Sequence, residues 1–317
     1  MVDSNVCRCG PEVITKVSTM QKIIIILLTA FSVINTAFAQ TDSEQQLQTI
    51  SVDGVQRDWR IYVPSSYVEE SLIPLVLDFH GSSSSPKNQV TLSEFEKLAE
   101  LNGFIVVTPA AKYIPEGGSV TWNVDKHQGA VDDVAFIRQL IIYLKQQYSI
   151  DPTKVYATGF SGGARMSSRL ACDLSQTIAA IGPVAGVRYP EDCLPLRPVP
   201  LITFHGKKDK VNHYEHQDNY PPYWRMGVNE ALNGWIKNNH CEQPAAEHVI
   251  TADVTKLSYR NCQQQGDIVF YRSEEAGHTW PGSPSAELLA KYGLGKTDTD
   301  IPATELIWQF FVAHPLP

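Results

Sequence analysis

After its first forty residues this chain has no long apolar run, no C-x-x-C pair, no internal repeat, and no linker rich in Pro, Thr or Ser. Each absence removes a class of protein. Without a second long apolar segment there is no sequence for a multi-span membrane protein. Without paired cysteines at ligand spacing, a structural zinc site loses its usual signature. Without a linker, the body of the chain reads as one domain with no appended binding module. Basic residues are also in deficit, 26 Lys and Arg against 34 Asp and Glu, for a net charge of −8. That balance weighs against nucleic acid or an anionic membrane surface as partner.

The one strongly apolar stretch lies at the start. Lys22 precedes the run Ile23 to Leu28, which continues through Ala30, Phe31, Val33 and Ile34 to the small-residue site Ala37-Phe38-Ala39. This is the pattern of an export signal cleaved after Ala39, with residues 1–39 as extension and signal and no membrane attachment after cleavage. Met20 is an alternative start, and Cys7 and Cys9 leave with the signal in either case. Removing 39 of 317 residues leaves 278, residues 40–317, enough for one large α/β domain. The destination is the periplasm or the outside of the cell. Four cysteines remain, Cys172, Cys193, Cys241 and Cys262. An even number in an exported chain suggests two disulfides, for which three pairings are formally possible. Nearest-neighbour closure favours Cys172 with Cys193 and Cys241 with Cys262.

Strand and helix patterns alternate along this body. Trp59 to Val63, Leu72 to Phe79, Phe104 to Pro109, Lys154 to Thr158, Ile178 to Val184, Val199 to Phe204 and Ile268 to Arg272 read as strands. Glu94 to Asn102, Val134 to Tyr148, Ala164 to Ala171, Glu230 to Asn238 and Glu305 to Val312 read as helices. Alternation of this kind predicts a mostly parallel sheet with helices on its faces and reactive groups at the carboxyl ends of the strands.

At one such end stands Gly159-Phe160-Ser161-Gly162-Gly163, a G-x-S-x-G between strand and helix. That context marks a nucleophile elbow, with Ser161 on the turn. A serine hydroxyl needs a base, and the base an orienting acid, in the chain order Ser, acid, His. Asp209, in a short turn off the strand Val199 to Phe204, is the predicted acid. His278, in the Gly/Pro-framed loop Ala276 to Gly282, is the predicted base. Of the other downstream histidines, His213 and His216 follow the acid too closely, and as an H-x-x-H pair they are a weak metal signal. Gly162 N–H supplies one oxyanion donor by position. The second comes from the loop Phe79-His80-Gly81-Ser82-Ser83, with Ser82 ahead of Gly81. His80 is expected to hold that loop, and Asp132 and Asp133 to cap the next helix or brace the site.

His80-Gly81, Trp122-Asn123, Val131 to Val134, the elbow, His205-Gly206-x-x-Asp209 and Gly277 to Gly282 together resemble the secreted polyhydroxybutyrate depolymerase and feruloyl esterase family, akin to carbohydrate esterases. The resemblance runs from about Gln48 to the terminal helix. It implies an α/β-hydrolase fold, a Ser161-Asp209-His278 triad, and cysteine pairings of the favoured kind. Many members continue the His-Gly of the oxyanion loop with a Cys- or Gln-bearing segment, where this chain has Ser82 to Ser85. The implied activity is a serine esterase without cofactor or metal, releasing hydroxycinnamic acids such as ferulate from plant cell-wall polysaccharide. Polyester depolymerisation and deacetylation of xylan are the alternatives, and a secreted serine peptidase is the reading from another class. Trp122, Trp280 and the cluster Tyr220 to Trp224, Tyr223 in particular, are expected to line an aromatic acyl or sugar pocket.

Overall fold

The computed structural model describes residues 47–217 and 219–317. The expected export signal, with Cys7 and Cys9, lies outside them. Gln46–Pro317 forms one compact unit, built on a ten-stranded sheet in the order β1-β2-β4-β3-β5-β6-β7-β10-β9-β8. Its strands are β1 (Gln48–Val52), β2 (Val55–Tyr62), β3 (Ile73–Phe79), β4 (Ile105–Pro109), β5 (Ile150–Phe160), β6 (Ile181–Val184), β7 (Leu201–Gly206), β8 (Ala246–Val249), β9 (Val254–Tyr259) and β10 (Ile268–Ser273). The six central strands β4, β3, β5, β6, β7 and β10 run parallel to one another. An antiparallel pair closes each edge.

The parallel strands are apolar on both faces because both faces are covered. On β3, Leu75, Leu77 and Phe79 enter one core and Val76 the other; on β5, Val155 and Ala157 oppose Tyr156 in the same way. The first core is completed by α3 (Asp133–Gln147), α4 (Gly162–Asp173) and α5 (Val228–Asn238), the second by α2 (Phe95–Asn102) and α7 (Ala303–Ala313). Helix α3 shows how sequence sets the element. Asp132 caps it by accepting the Ala135 N–H at 2.9 Å, and Phe136, Ile137, Leu140, Ile141 and Leu144 form its buried stripe. Each such side chain contributes roughly 1.5–3 kcal/mol on burial.

Elements beyond the sequence expectations are β1, the hairpin partners β8 and β9, and two short helices, α1 (Pro86–Ser93) and α6 (Ala286–Lys291). Both predicted disulfides are present, Cys172–Cys193 and Cys241–Cys262, each closing 21 residues. The first ties the end of α4 to the loop beyond β6. No described helix is long and apolar enough to cross a membrane.

Candidate active site

Strand β5 delivers Ser161 to the carboxyl edge of the sheet, and α4 begins at the next residue. Ser161 adopts φ 56° and ψ −113°, a left-handed conformation that costs a non-glycine residue on the order of 1–3 kcal/mol. The bend is held from both sides: Ser161 N–H donates to Val184 O at 2.9 Å, and Arg165 N–H donates to Ser161 O at 3.1 Å. It is possible only because Gly159 and Gly163 lack side chains. A Cβ on Gly163 would sit 2.0 Å from Phe79 O, and one on Gly159 2.6 Å from the same atom.

Asp209 follows β7 in a tight turn and is almost wholly buried. Its Oδ1 accepts the N–H groups of Val211 and Asn212, both at 2.8 Å. Its Oδ2 lies 2.7 Å from His278 Nδ1. A carboxylate has no proton to give, so Nδ1 carries it and Nε2 is left as an acceptor. Burial pushes the Asp209 carboxyl up, but the electrostatic pull and hydrogen bond of His278, with His205 and the Val211 N–H, outweigh it and leave the group below the usual range. His205 Nε2 is 3.4 Å from the same Oδ2 and donates to Asn212 O at 2.8 Å. Burial depresses the His205 pKa against the pull of Asp209.

The loop after β3 presses against the elbow. A Cβ on Gly162 would be 2.5 Å from Ser82 Oγ and 3.0 Å from Ser82 N, and one on Gly81 would be 3.4 Å from Ser161 Cβ. The Gly162 N–H is among the unpaired donors of the first turn of α4. His80 pins the loop: Nδ1–H donates to Gly81 O at 2.8 Å, Nε2 accepts the Ala111 N–H at 3.0 Å, and its carbonyl accepts Trp122 Nε1–H at 2.8 Å. Burial lowers the His80 pKa to about 4, so the ring stays neutral. Asp133 braces the next segment, bonded to Arg57 at 2.5 Å and to the Asn123 N–H at 2.6 Å.

Gly81, Ser82, Ser161 and His278 all line one cavity of about 1170 Å³. Tyr223 lines it too, its ring facing the Arg165 guanidinium at 4.7 Å. Trp122 reaches the wall but is 2% exposed, edge-on to Phe79 at 5.1 Å beneath the loop that follows β3. Trp280 requires a correction. It is fully buried, edge-on to Phe95 at 6.2 Å, with Nε1–H donating to Thr304 Oγ1 at 3.0 Å. The loop that carries His278 outward turns its next large side chain into the second core, so Trp280 packs the fold and leaves the cavity wall to others. His213 stacks on Tyr220 with ring centroids 3.9 Å apart. Among the described residues no cluster of His, Cys, Asp and Glu gathers to hold a metal.

Sequence reasoning passed over Asn212, which is fully buried. Its N–H serves Asp209, its carbonyl accepts from His205, its Oδ1 accepts Arg165 Nη1–H at 3.2 Å, and its Nδ2 donates to Ala185 O at 2.7 Å. An Asn three positions after Asp209 carries no motif of its own, and only the fold assembles its partners. Arg165 and Arg188 were also missed, although an arginine one turn into the elbow helix is an unusual residue to bury.

A family described as esterase PHB depolymerase matches residues 58–216, a segment that holds Ser161 and Asp209. The chain is 32% identical over 226 residues to a bifunctional acetylxylan esterase/xylanase of Neocallimastix patriciarum, covering 71% of this chain and 31% of that protein. It is 31% identical over 209 residues to feruloyl esterase B of Piromyces equi, covering 63% and 38%. The match thus spans about a third of the length of these relatives. Among solved structures, the acetyl xylan esterase of Aspergillus awamori aligns with TM-score 0.56 at 17% identity, covering 79% of this chain and all of that one, a likeness of fold. Family match and shared fold identify this chain as a member of the esterase PHB depolymerase family with an α/β-hydrolase fold.

Proposed function

We propose that the protein is an exported serine esterase in which Ser161 is the nucleophile, His278 the base and Asp209 its orienting acid. The carrying observation is the 2.7 Å bond from His278 Nδ1 to Asp209 Oδ2, with His278 and the strained Ser161 on the wall of one cavity. In this reading His278 Nε2 takes the Ser161 proton as Oγ attacks the ester carbonyl, and returns it to the leaving alcohol. The negative charge on the tetrahedral intermediate falls to the N–H groups of Gly162 and Ser82, with Gly81 beside them. Water then repeats the attack on the acyl-enzyme and frees the acid.

The substrate reading is a hydroxycinnamoyl ester of plant cell-wall polysaccharide, supported by the 31% identity to a feruloyl esterase. Acetylated xylan is the second reading, favoured by the 32% identity to an acetylxylan esterase/xylanase. Hydroxyalkanoate polyester is the third, favoured by the family match. Rates on methyl ferulate, acetylated xylan and 3-hydroxybutyrate oligomers, with Ser161→Ala as control, separate them. Selective ferulate turnover supports the first reading, selective turnover of either other substrate replaces it, and undiminished turnover by Ser161→Ala defeats the nucleophile assignment. Export of the chain is supported by the two disulfides.

A further inference from the structure

The cavity is lined by two unlike sets of residues. One is apolar, Leu92, Leu288, Leu289, Tyr292 and Leu294. The second includes Arg165, Arg188, Arg225, Asp125 and Tyr223. The balance of charge in that second group is uneven. Asp125 binds Arg188 Nη2 at 2.7 Å and lies 3.6 Å from Arg225 Nη2. Glu191 approaches Arg225 at 3.5 Å but is 65% exposed, and Glu116, also on the wall, is exposed.

Among the described residues no carboxylate forms a hydrogen bond or close ion pair with Arg165, and only the more distant charge of Asp125 acts on it. Arg165 is 6% exposed, and its guanidinium bonds are to neutral oxygens, Asn212 Oδ1 at 3.2 Å and Ser82 Oγ at 3.5 Å. Its flat face rests on the Tyr223 ring. Nearby, the buried Arg188 Nε has no hydrogen-bond partner among the described residues. Removing a cation from water without a counter-ion is strongly unfavourable, and proteins with such a group gain from an anion that reaches it. Burial lowers the Arg165 pKa to about 10, which still leaves it charged at neutral pH.

We infer that the Arg165, Arg188 and Arg225 wall is a subsite for a carboxylate carried by the substrate, so that the preferred esters are anionic. Guanidinium groups take carboxylates through paired N–H bonds. Arg165 contacts Ser82, which abuts Gly162, so the carboxylate would sit close to the reacting ester. It belongs either to the acid portion, as in the half-ester of a dicarboxylic acid, or to the alcohol portion, as in an ester of a hydroxy acid or a uronic-acid-bearing sugar. This inference rests on the esterase reading above.

The experiment compares matched probes. In the acid arm, 4-nitrophenyl hydrogen glutarate is set against 4-nitrophenyl pentanoate; in the alcohol arm, 4-acetoxybenzoate against 4-acetoxybenzamide. The readout is the ratio of kcat/KM for the anionic member to that for its neutral partner, in wild type, Arg165→Met and Arg225→Gln. The expected result is a ratio that falls about tenfold or more with Arg165→Met in one arm, which also names the portion carrying the charge, and falls in the same arm with Arg225→Gln. A purely structural arginine would lower both members and leave the ratio unmoved in both arms, which overturns the subsite. Calorimetric titration of glutarate and of 4-hydroxybenzoate into Ser161→Ala keeps the question apart from turnover. Binding of either that Arg165→Met or Arg225→Gln abolishes supports the subsite, and binding of neither anion removes it. Failure to hydrolyse any of the four probes would instead strike the esterase reading.

Discussion

His205 and His278 share one carboxylate oxygen: Asp209 Oδ2 lies 3.4 Å from His205 Nε2 and 2.7 Å from His278 Nδ1. The two rings do different work. His205 has its Nε2 proton committed to Asn212 O, whereas His278 faces the cavity. Asp209→Asn would replace an acceptor with a group that also donates, and so disturb the tautomer of His278. The expected loss is about four orders of magnitude in kcat, with an unchanged circular dichroism spectrum. A fall of less than tenfold would show that the orienting acid lies elsewhere.

The elbow tolerates no side chain behind it. Gly163→Ala would place a Cβ 2.0 Å from a carbonyl oxygen of β3, a clash of backbone with backbone that no rotamer relieves. Destabilisation of about 3 kcal/mol or more is expected, read as a lowered midpoint in urea. An unshifted midpoint would mean that β3 and α4 separate more readily than their packing indicates.

His80 makes the loop after β3 sensitive to acid. Its folded pKa of about 4 lies below the 6.5 of an unrestrained imidazole. The unfolded chain therefore takes up the proton first, and this contribution to stability is complete above pH 6.5 and lost as pH falls towards 4. Asp78 acts in the opposite sense: burial raises its pKa to about 7, against hydrogen bonds from Ser93 and Gln89, so its contribution is lost as pH rises from about 4 to about 7. Subtracting the unfolding free energies of wild type and His80→Asn cancels the Asp78 part. The difference should shrink steadily from pH 6.5 to pH 4, and a flat difference would contradict a neutral His80.

Trp280 and Tyr223 should separate cleanly. Trp280→Ala is expected to cost about 3–5 kcal/mol of stability through the cavity it leaves. Tyr223, 40% exposed on the cavity wall, should alter KM when changed to Ala and move the melting temperature little. The reverse pattern in thermal melts and kinetics would restore the expectation that Trp280 lines the pocket.

Reduction of the two disulfides should lower stability by about 3 kcal/mol for each 21-residue loop. Differential scanning calorimetry with and without reductant checks this, and coincident traces would contradict it.

The parts of this fold that were legible in the sequence are those whose signal is local. The apolar runs of β3, β4 and β7 and the stripe of α3 announce themselves by period, and Ser161 by its glycines. Helix α1 was hidden because its polar face dominates, though Ser85 at the cap and Pro86 in the first turn are starting signals. Strands β8 and β9 pair at an edge, where exposure on one or both sides breaks the buried pattern; every residue of β8 is exposed. The direction of Trp280 was unreadable because it follows from how one loop turns. Arg165, and two of the four bonds of Asn212, depend on partners 27 to 83 residues away, a separation at which sequence spacing carries no information.

Asn212 has an engineering consequence. Its four bonds reach the acid turn, β7, the end of β6 and the elbow helix, so the turn carrying Asp209 is not an independent cassette. Grafting that turn from a relative would have to carry residues 165, 205 and 212 as one set. A library that varies them singly would sample mostly broken linkages, whereas one that varies them jointly would search the combinations in which the acid keeps its aim.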